Sequence, residues 1–317
     1  VSAEAHRSFA CFGGTATVHV RAENATVAEE AVERARRQLL DGHRRLTRFE
    51  EDSELCRLNR DPRAEVPASP LLRRLAAAVA MAGARSGGLV DATLLGSLER
   101  AGYGESMERV EPTAPAAASR PRSPTGPAGP DPAARWSLVG VDEQAGTVLR
   151  PPGVRIDSGG MAKGLLADLV GTELAGHAGY AVDCCGDVRV GGSAGLRRRV
   201  GVGDPSGGEP IHELALRDGA AATSGVDRHR WTGPEGESAH HILDPRSGEP
   251  AFTGIAQATA LAPDALLAEV YAKAALLSGP DEAAEWLPHG GVLVHDDGAV
   301  EVLAPSAQSA ERVAAIH

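Results

Sequence analysis

Between Val154 and Gly164 the chain reads Val-Arg-Ile-Asp-Ser-Gly-Gly-Met-Ala-Lys-Gly. The spelling is that of an apolar strand end that runs through Asp157 and Ser158 into Gly159-Gly160, after which Lys163 and Gly164 open a helix. Such a junction brings backbone N–H groups and the positive end of a helix dipole to one point, where a phosphate approaches without meeting side chains. Asp157 and Lys163 flank that point with opposite charges. Neither standard phosphate fingerprint fits: there is no G-x-x-x-x-G-K-[ST] run, and Gly159-Gly160 with Gly164 does not spell G-x-G-x-x-G.

Other residues are of types that do chemistry. His241, in Ala239-His240-His241-Ile242-Leu243-Asp244-Pro245, has a side chain that moves protons near neutral pH. The competing reading is that His240 and His241 are polar residues on the two faces of a strand, only one of which points at any given site. Thr223-Ser224-Gly225 offers two hydroxyls and a turn, suited to phosphate oxygens or to nothing more than a turn. Asp183-Cys184-Cys185-Gly186-Asp187 ends a strand with two carboxylates, and its adjacent cysteines have no second pair spaced for a metal, which favours burial. Glu269 and Lys273 stand four apart in the favourable order, as an exposed helix pair or as a pair in a partly buried groove.

The elements that must position these residues follow from periodicity. Alternation from Phe9 to Ala22 predicts a strand, and helical spacing of Val27, Ala31, Ala35 and Leu39 predicts a helix from Thr26 to Arg48. Ser53 is a suitable N-cap for a short helix, and Ser69-Pro70 opens another that Gly87-Gly88 stops. Residues 111–134, rich in Pro, Ala, Ser, Arg and Gly, read as a disordered insertion without chemistry. Strands are expected at Trp136–Leu138, Thr147–Leu149, Tyr180–Asp183, Val188–Val190, Arg199–Val202 and Ile211–Leu216. A helix over Pro263–Ser278 and a hairpin of Val292–Val294 with Val300–Leu303 close the chain. This order predicts α+β architecture rather than a parallel βαβ sheet.

Composition narrows the function. A chain of 317 residues with 42% apolar content can bury a sizeable core, and a net charge of −11 opposes non-specific attraction to nucleic acid or anionic lipid. Aromatic residues make up 3%, so a base-stacking platform is not expected. The four cysteines, Cys11, Cys56, Cys184 and Cys185, match neither a zinc site nor a disulfide framework and are expected to be buried or reduced. No apolar run reaches the ~20 residues of a membrane span. The chain as it stands reads as cytoplasmic; because it opens on Val1 rather than Met, an exported or anchored form is the expectation if a leader has been removed.

Taken in order, these segments resemble the FAD:protein FMN transferase, or ApbE, family along nearly the whole chain. Phe12-Gly13-Gly14-Thr15 resembles its N-terminal Met-Gly-Thr strand. Ser53 to Asn59 resembles its Ser-x-hydrophobic-x-x-Leu-Asn helix start, and Asp157 to Gly164 its Asp-Leu-Gly-Gly-Ile-Ala-Lys-Gly hallmark, with Ser158 in place of leucine. Ser224-Gly225 and His241 to Gly248 resemble its later Ser-Gly and His-Ile-Ile-Asp-Pro-x-Thr-Gly motifs, and residues 258–279 the helix that closes its metal site.

The resemblance implies a T-fold-like α+β chain of mixed sheets with flanking helices, one domain over 1–317 in two sheet-bearing halves with FAD between them. It implies FAD as substrate, split so that FMN joins a threonine or serine of a partner protein and AMP leaves. The residues implied are His241, Lys163 and Asp157 for the chemistry, and Asn59, Ser158, Gly159, Gly160, Lys163, Asp187, Thr223, Ser224, Gly225 and His241 for FAD. The family holds Mg²⁺ through a backbone carbonyl, here that of Ala162, and through Asp and Thr on the late helix. Glu269 and Lys273 occupy those last two positions, so no metal ligand is assigned and an FAD-binding chain with lost or metal-independent activity is the alternative. Cys185 likewise replaces a glycine expected before Gly186.

Overall fold

The computed structural model describes residues 2–103, 125–227, 230–232 and 238–306. Eight strands form its main sheet: β1 (Ala3–Cys11), β2 (Gly14–Ala22), β3 (Gly179–Cys184), β4 (Asp187–Gly191), β5 (Gly219–Gly225), β6 (Ile255–Ala262), β7 (Gly291–His295) and β8 (Val300–Leu303). Their spatial order is their chain order, and every neighbouring pair is antiparallel. The strands of the N- and C-terminal parts of the chain therefore meet in one sheet. The α+β expectation holds, with no parallel pairing within this sheet.

The helices are α1 (Ala25–Leu46), α2 (Glu54–Arg60), α3 (Pro70–Arg85), α4 (Leu95–Arg100), α5 (Ala162–Leu174) and α6 (Ala265–Ser278). Ser53 and Ser69 cap α2 and α3 by accepting from Cys56 N and Leu72 N, as their sequence positions predict. Helices α1 and α5 pack on one sheet face through Val32, Leu39, Leu166 and Val170 against Val18, Val20 and Val182. Helix α6 lies on the same layer and is apolar almost all round, because the sheet covers one side and α5 the other.

Several sequence expectations change, among them the turn read at Thr223-Ser224-Gly225, which is the end of strand β5. The predicted Phe9–Ala22 strand is a hairpin: Phe12 and Gly13 both take positive φ (49° and 73°), the two-residue turn whose twist suits paired strands. Trp136–Leu138 is a 3₁₀ turn rather than a strand, because Trp136 packs into the notch left by Gly83 on α3. Val154–Ile156 is extended but belongs to no sheet. Of the predicted insertion, residues up to 124 lie outside the described residues, whereas 125–134 are tied down by Thr125 N to Phe252 O, Ala128 N to Leu277 O and Gly129 N to the Asp244 carboxylate. Among the described residues no helix is long and apolar enough to cross a membrane.

Candidate active site

The sheet face opposite the helices is only partly covered, with Val202 and Leu214 packed on Ala221 and Val292. A cleft of about 940 Å³ runs over it, lined by Thr17, Ala181, Asp183, Thr223 and Thr259, and reaches the loop that precedes α5. A separate ribbon of strands Arg198–Val202 and His212–Leu216 roofs it. This volume suits a ligand of dinucleotide size.

The loop from Ile156 to Gly164 is built by side chains, because no strand neighbours it. Asn59, near the end of α2, pairs with both backbone groups of Ile156: its Nδ2 donates to the carbonyl at 2.8 Å and its Oδ1 accepts the N–H at 2.8 Å. Asp157 N donates to Ala92 O, and the buried Ser158 hydroxyl donates to Leu46 O at 2.7 Å, at the last residue of α1. Asn59 is outside the cleft lining, so its role here is to hold the loop. Replacing Asn59 with alanine removes two bonds at once, and we expect about 1–3 kcal/mol of destabilisation in denaturant titration, with wild-type stability as the contrary result.

Inside the loop the amides are less bare than the sequence suggests. Gly159 N donates to the Asp157 carboxylate at 3.1 Å, and Gly164 N to Glu269 at 3.1 Å. The glycines serve close approach. A Cβ on Gly164 would sit 2.7 Å from the backbone oxygen of Ala265, and one on Gly160 would sit 3.1 Å from Lys273 Nζ. Gly164→Ala must therefore push α5 from α6, since the opposing atoms are backbone. The expected cost is about 1–3 kcal/mol, read as a lowered denaturation midpoint; an unchanged midpoint would show that the helices yield freely.

Asp157 and Lys163, which flank the junction in sequence, are not paired with each other. Asp157 instead faces Arg48, with Oδ1 3.0 Å from Nε. Lys163 pairs with Asp187, Nζ to Oδ2 at 2.7 Å, across from the first residue of β4. The reason is direction: Lys163 projects from the first turn of α5 toward the β3–β4 corner, while Asp157 precedes the turn and meets the end of α1. Burial pushes the Asp187 carboxyl up to about 6 against the pull of Lys163. Burial alone would lower Lys163, but the charges of Asp187 and Glu269 outweigh it and hold the ammonium form. Burial also raises Asp157, opposed by Arg48.

Lys163, His241, Thr223, Ser224, Gly225, Asp157, Ser158, Gly159 and Gly160 all line the cleft; Asp187 lies behind Lys163, outside the lining. Thr223 and Thr259 face each other across β5 and β6, hydroxyls 2.9 Å apart. The two histidines part at the end of a strand, His240 being the last residue of Ser238–His240 and His241 lying just beyond it. His240 is buried edge-on against Phe252, its imidazole lowered to about 4 by burial, while His241 opens on the cleft.

The family model described as ApbE family matches residues 12–294. The chain belongs to the ApbE family. The FAD:protein FMN transferase of Treponema pallidum (strain Nichols) is 32% identical over 149 residues, 43% of this chain and 41% of that protein. The protein of the same name from Rhodobacter capsulatus is 29% identical over 164 residues, 49% of this chain and 31% of its own length. The chain thus spans well under half the length of these curated relatives. Two solved structures share the fold: the ApbE protein of Thermotoga maritima (TM-score 0.77, 23% identity, 96% of this chain and 98% of that one) and the Pseudomonas stutzeri flavinyl transferase ApbE in its apo form (TM-score 0.74, 22% identity, 95% of each).

Against the ApbE pattern, the residues at the expected Mg²⁺ positions do not fit a dication. Lys273 Nζ donates to Gly160 O at 3.0 Å and stands 3.5 Å from Glu269 Oε1, while Glu269 Oε2 accepts from Gly164 N. Both Glu269 oxygens are engaged, and among the described residues no three His, Cys, Asp or Glu side chains converge. An ammonium about 4 Å from a dication repels it by several kcal/mol even at an effective dielectric of ~20.

Sequence patterning does not single out Arg48, Phe49 and Tyr103, yet they form one wall of the cleft. The Arg48 guanidinium lies 4.2 Å from the Phe49 ring centre and 4.4 Å from that of Tyr103, and it donates to Tyr103 O at 2.8 Å. Tyr103 in turn stacks on Trp231 with centroids 5.2 Å apart. The aromatic rings here are engaged with one another and with Arg48, in a chain otherwise poor in aromatic residues. The signal was the reverse of abundance: in so aromatic-poor a chain, an aromatic beside an arginine at a helix exit is a residue to explain.

Proposed function

We propose that this chain transfers FMN from FAD to a threonine or serine hydroxyl of a partner protein, releasing AMP. The observation that carries the reading is the Lys163 ammonium, ion-paired to buried Asp187, opening on the same cleft as His241, Thr223 and Ser224. The flavin fits against the Phe49–Tyr103 wall, and the diphosphate lies toward the loop from Asp157 to Gly164.

In the transfer the acceptor oxygen bonds to the FMN phosphorus while the bond from that phosphorus to the bridging oxygen breaks. The bond's electron pair leaves on AMP, and the acceptor's proton passes to His241. Lys163 meets the charge that grows on the phosphate oxygens, with Asp187 fixing its amine. Thr223 and Ser224 add hydroxyl donors, and the Gly159-Gly160 backbone keeps that wall free of side chains. Asn59, Ser158 and Asp157 hold the loop in place.

Lys273 favours a second reading, a chain that binds FAD without transferring FMN. Incubation with FAD and a threonine-bearing acceptor separates the two. Transfer adds one FMN to the acceptor's mass and releases AMP in equal amount; retained flavin without AMP supports the binder.

A further inference from the structure

Resting on the reading of this cleft as an FAD site, we infer that Lys273 supplies the cation that meets the dinucleotide's diphosphate, in place of a divalent metal. Two ion pairs stand at the end of the cleft, Lys163 with Asp187 and Lys273 with Glu269, and within them exposure sorts by sign. Lys163 and Lys273 are 21% and 16% exposed, whereas their partners Asp187 and Glu269 are 1% and 3% exposed. A ligand entering the cleft therefore meets two ammonium heads, with Asp187 behind the lining, Glu269 almost wholly covered within it, and the nearby Asp157 matched by Arg48. The four charges sum to zero, so the group is balanced within the protein, and its two more exposed members are the amines.

Lys273 is held for this task from two sides. The carbonyl of Gly160 takes one of its three donors, and Glu269, itself pinned by Gly164 N, faces another. Gly160 has no side chain because a Cβ there would meet the ammonium. Helix α5 with Lys163 and helix α6 with Lys273 thus converge on one diphosphate, an amine from each, and the Glu269 carboxylate at a metal-ligand position is spent on the second amine and on Gly164 N. Divalent metal is then neither needed nor accommodated.

Two titrations test this, one with metal alone and one with FAD. Mg²⁺ added to the flavin-free chain is expected to give no saturable heat, whereas the double variant Glu269→Asp with Lys273→Thr, which restores oxygen ligands, is expected to gain one. Stoichiometric Mg²⁺ binding by the parent chain overturns the inference whatever FAD does. FAD affinity is expected to stay within about twofold between EDTA and excess Mg²⁺, and Lys273→Met to weaken it by about tenfold or more in both. About tenfold tighter FAD binding with Mg²⁺ in the parent overturns the inference. Lys273→Arg keeps a cation beside Glu269; it is expected to fold and to retain metal-indifferent FAD binding if Lys273→Met fails to fold, and metal-dependent binding by it counts against the inference. If FAD binds in neither condition the transferase reading fails, while the Mg²⁺ titration still decides what Lys273 does.

Discussion

Replacing Lys163 with methionine is expected to lower AMP release by about 10²–10³-fold and to destabilise the fold by about 1–3 kcal/mol near pH 7, where the Asp187 carboxyl takes up a proton once its partner is gone. Both effects have one cause. Lys163 is the partner of Asp187, whose side chain is 1% exposed, and removal of the amine leaves a buried carboxylate with no opposing charge at hydrogen-bond distance. The two losses separate in the double variant Lys163→Met with Asp187→Leu, because replacing a buried pair by apolar side chains of similar bulk restores stability but not charge at the cleft. Urea denaturation and AMP chromatography on the three proteins read this directly. A single variant that keeps its rate would remove Lys163 from the phosphate chemistry. The pair also sets a pH dependence. The Asp187 carboxyl is raised to about 6 in the folded chain from an ordinary value of 3.8, so protonating it in acid costs no stability, and this group's contribution is instead lost as pH rises through 6. Transfer runs the other way: below about pH 6 Asp187 ceases to hold Lys163 by charge, and AMP release falls while the melting temperature does not fall on account of this group.

Changing His241 to glutamine is expected to lower transfer by about 10²–10⁴-fold with little change in FAD affinity or in melting temperature. Glutamine keeps a polar head at the cleft but takes no proton from the acceptor hydroxyl. The neighbouring His240→Gln is the control with the opposite signature. His240 is 1% exposed and packed on Phe252, so its loss costs stability, and its distance from the lining leaves the chemical step intact. Equal loss of rate from both variants would mean that the turn after Ala239, rather than the imidazole of His241, is what transfer requires.

Much of the scaffold was legible because its signals are local. Ser53 and Ser69 announce their helices by capping chemistry, the Asp157–Gly164 loop announces itself by glycines beside an acid and an amine, and the alternation in the strands is short-range. The pairing of charges was not legible. Asp157 is six residues from Lys163 in sequence, yet it is matched with Arg48 from the end of α1, while Lys163 is matched with Asp187 on β4. Which acid meets which base depends on how α1, α5 and the sheet pack, and no periodicity encodes that. The same holds for the glycines: paired glycines read as an opening for phosphate, whereas Gly160 and Gly164 answer to Lys273 and to the backbone of α6. The hairpin turn at Phe12-Gly13 was hidden by a phenylalanine in a left-handed position, which sequence patterns rarely anticipate. The aromatic wall was missed for a related reason, since Arg48, Tyr103 and Trp231 meet only in the fold.

The central claim is that the cleft over the sheet face opposite the helices receives FAD with its diphosphate at Lys163. Titration of the purified chain with FAD, followed by quenching of flavin fluorescence, tests it most directly. Saturable binding below about 1 mM that weakens at least about tenfold in Lys163→Met is the expected result. A straight, unsaturated response from the parent chain, or equal affinity in the variant, would contradict it.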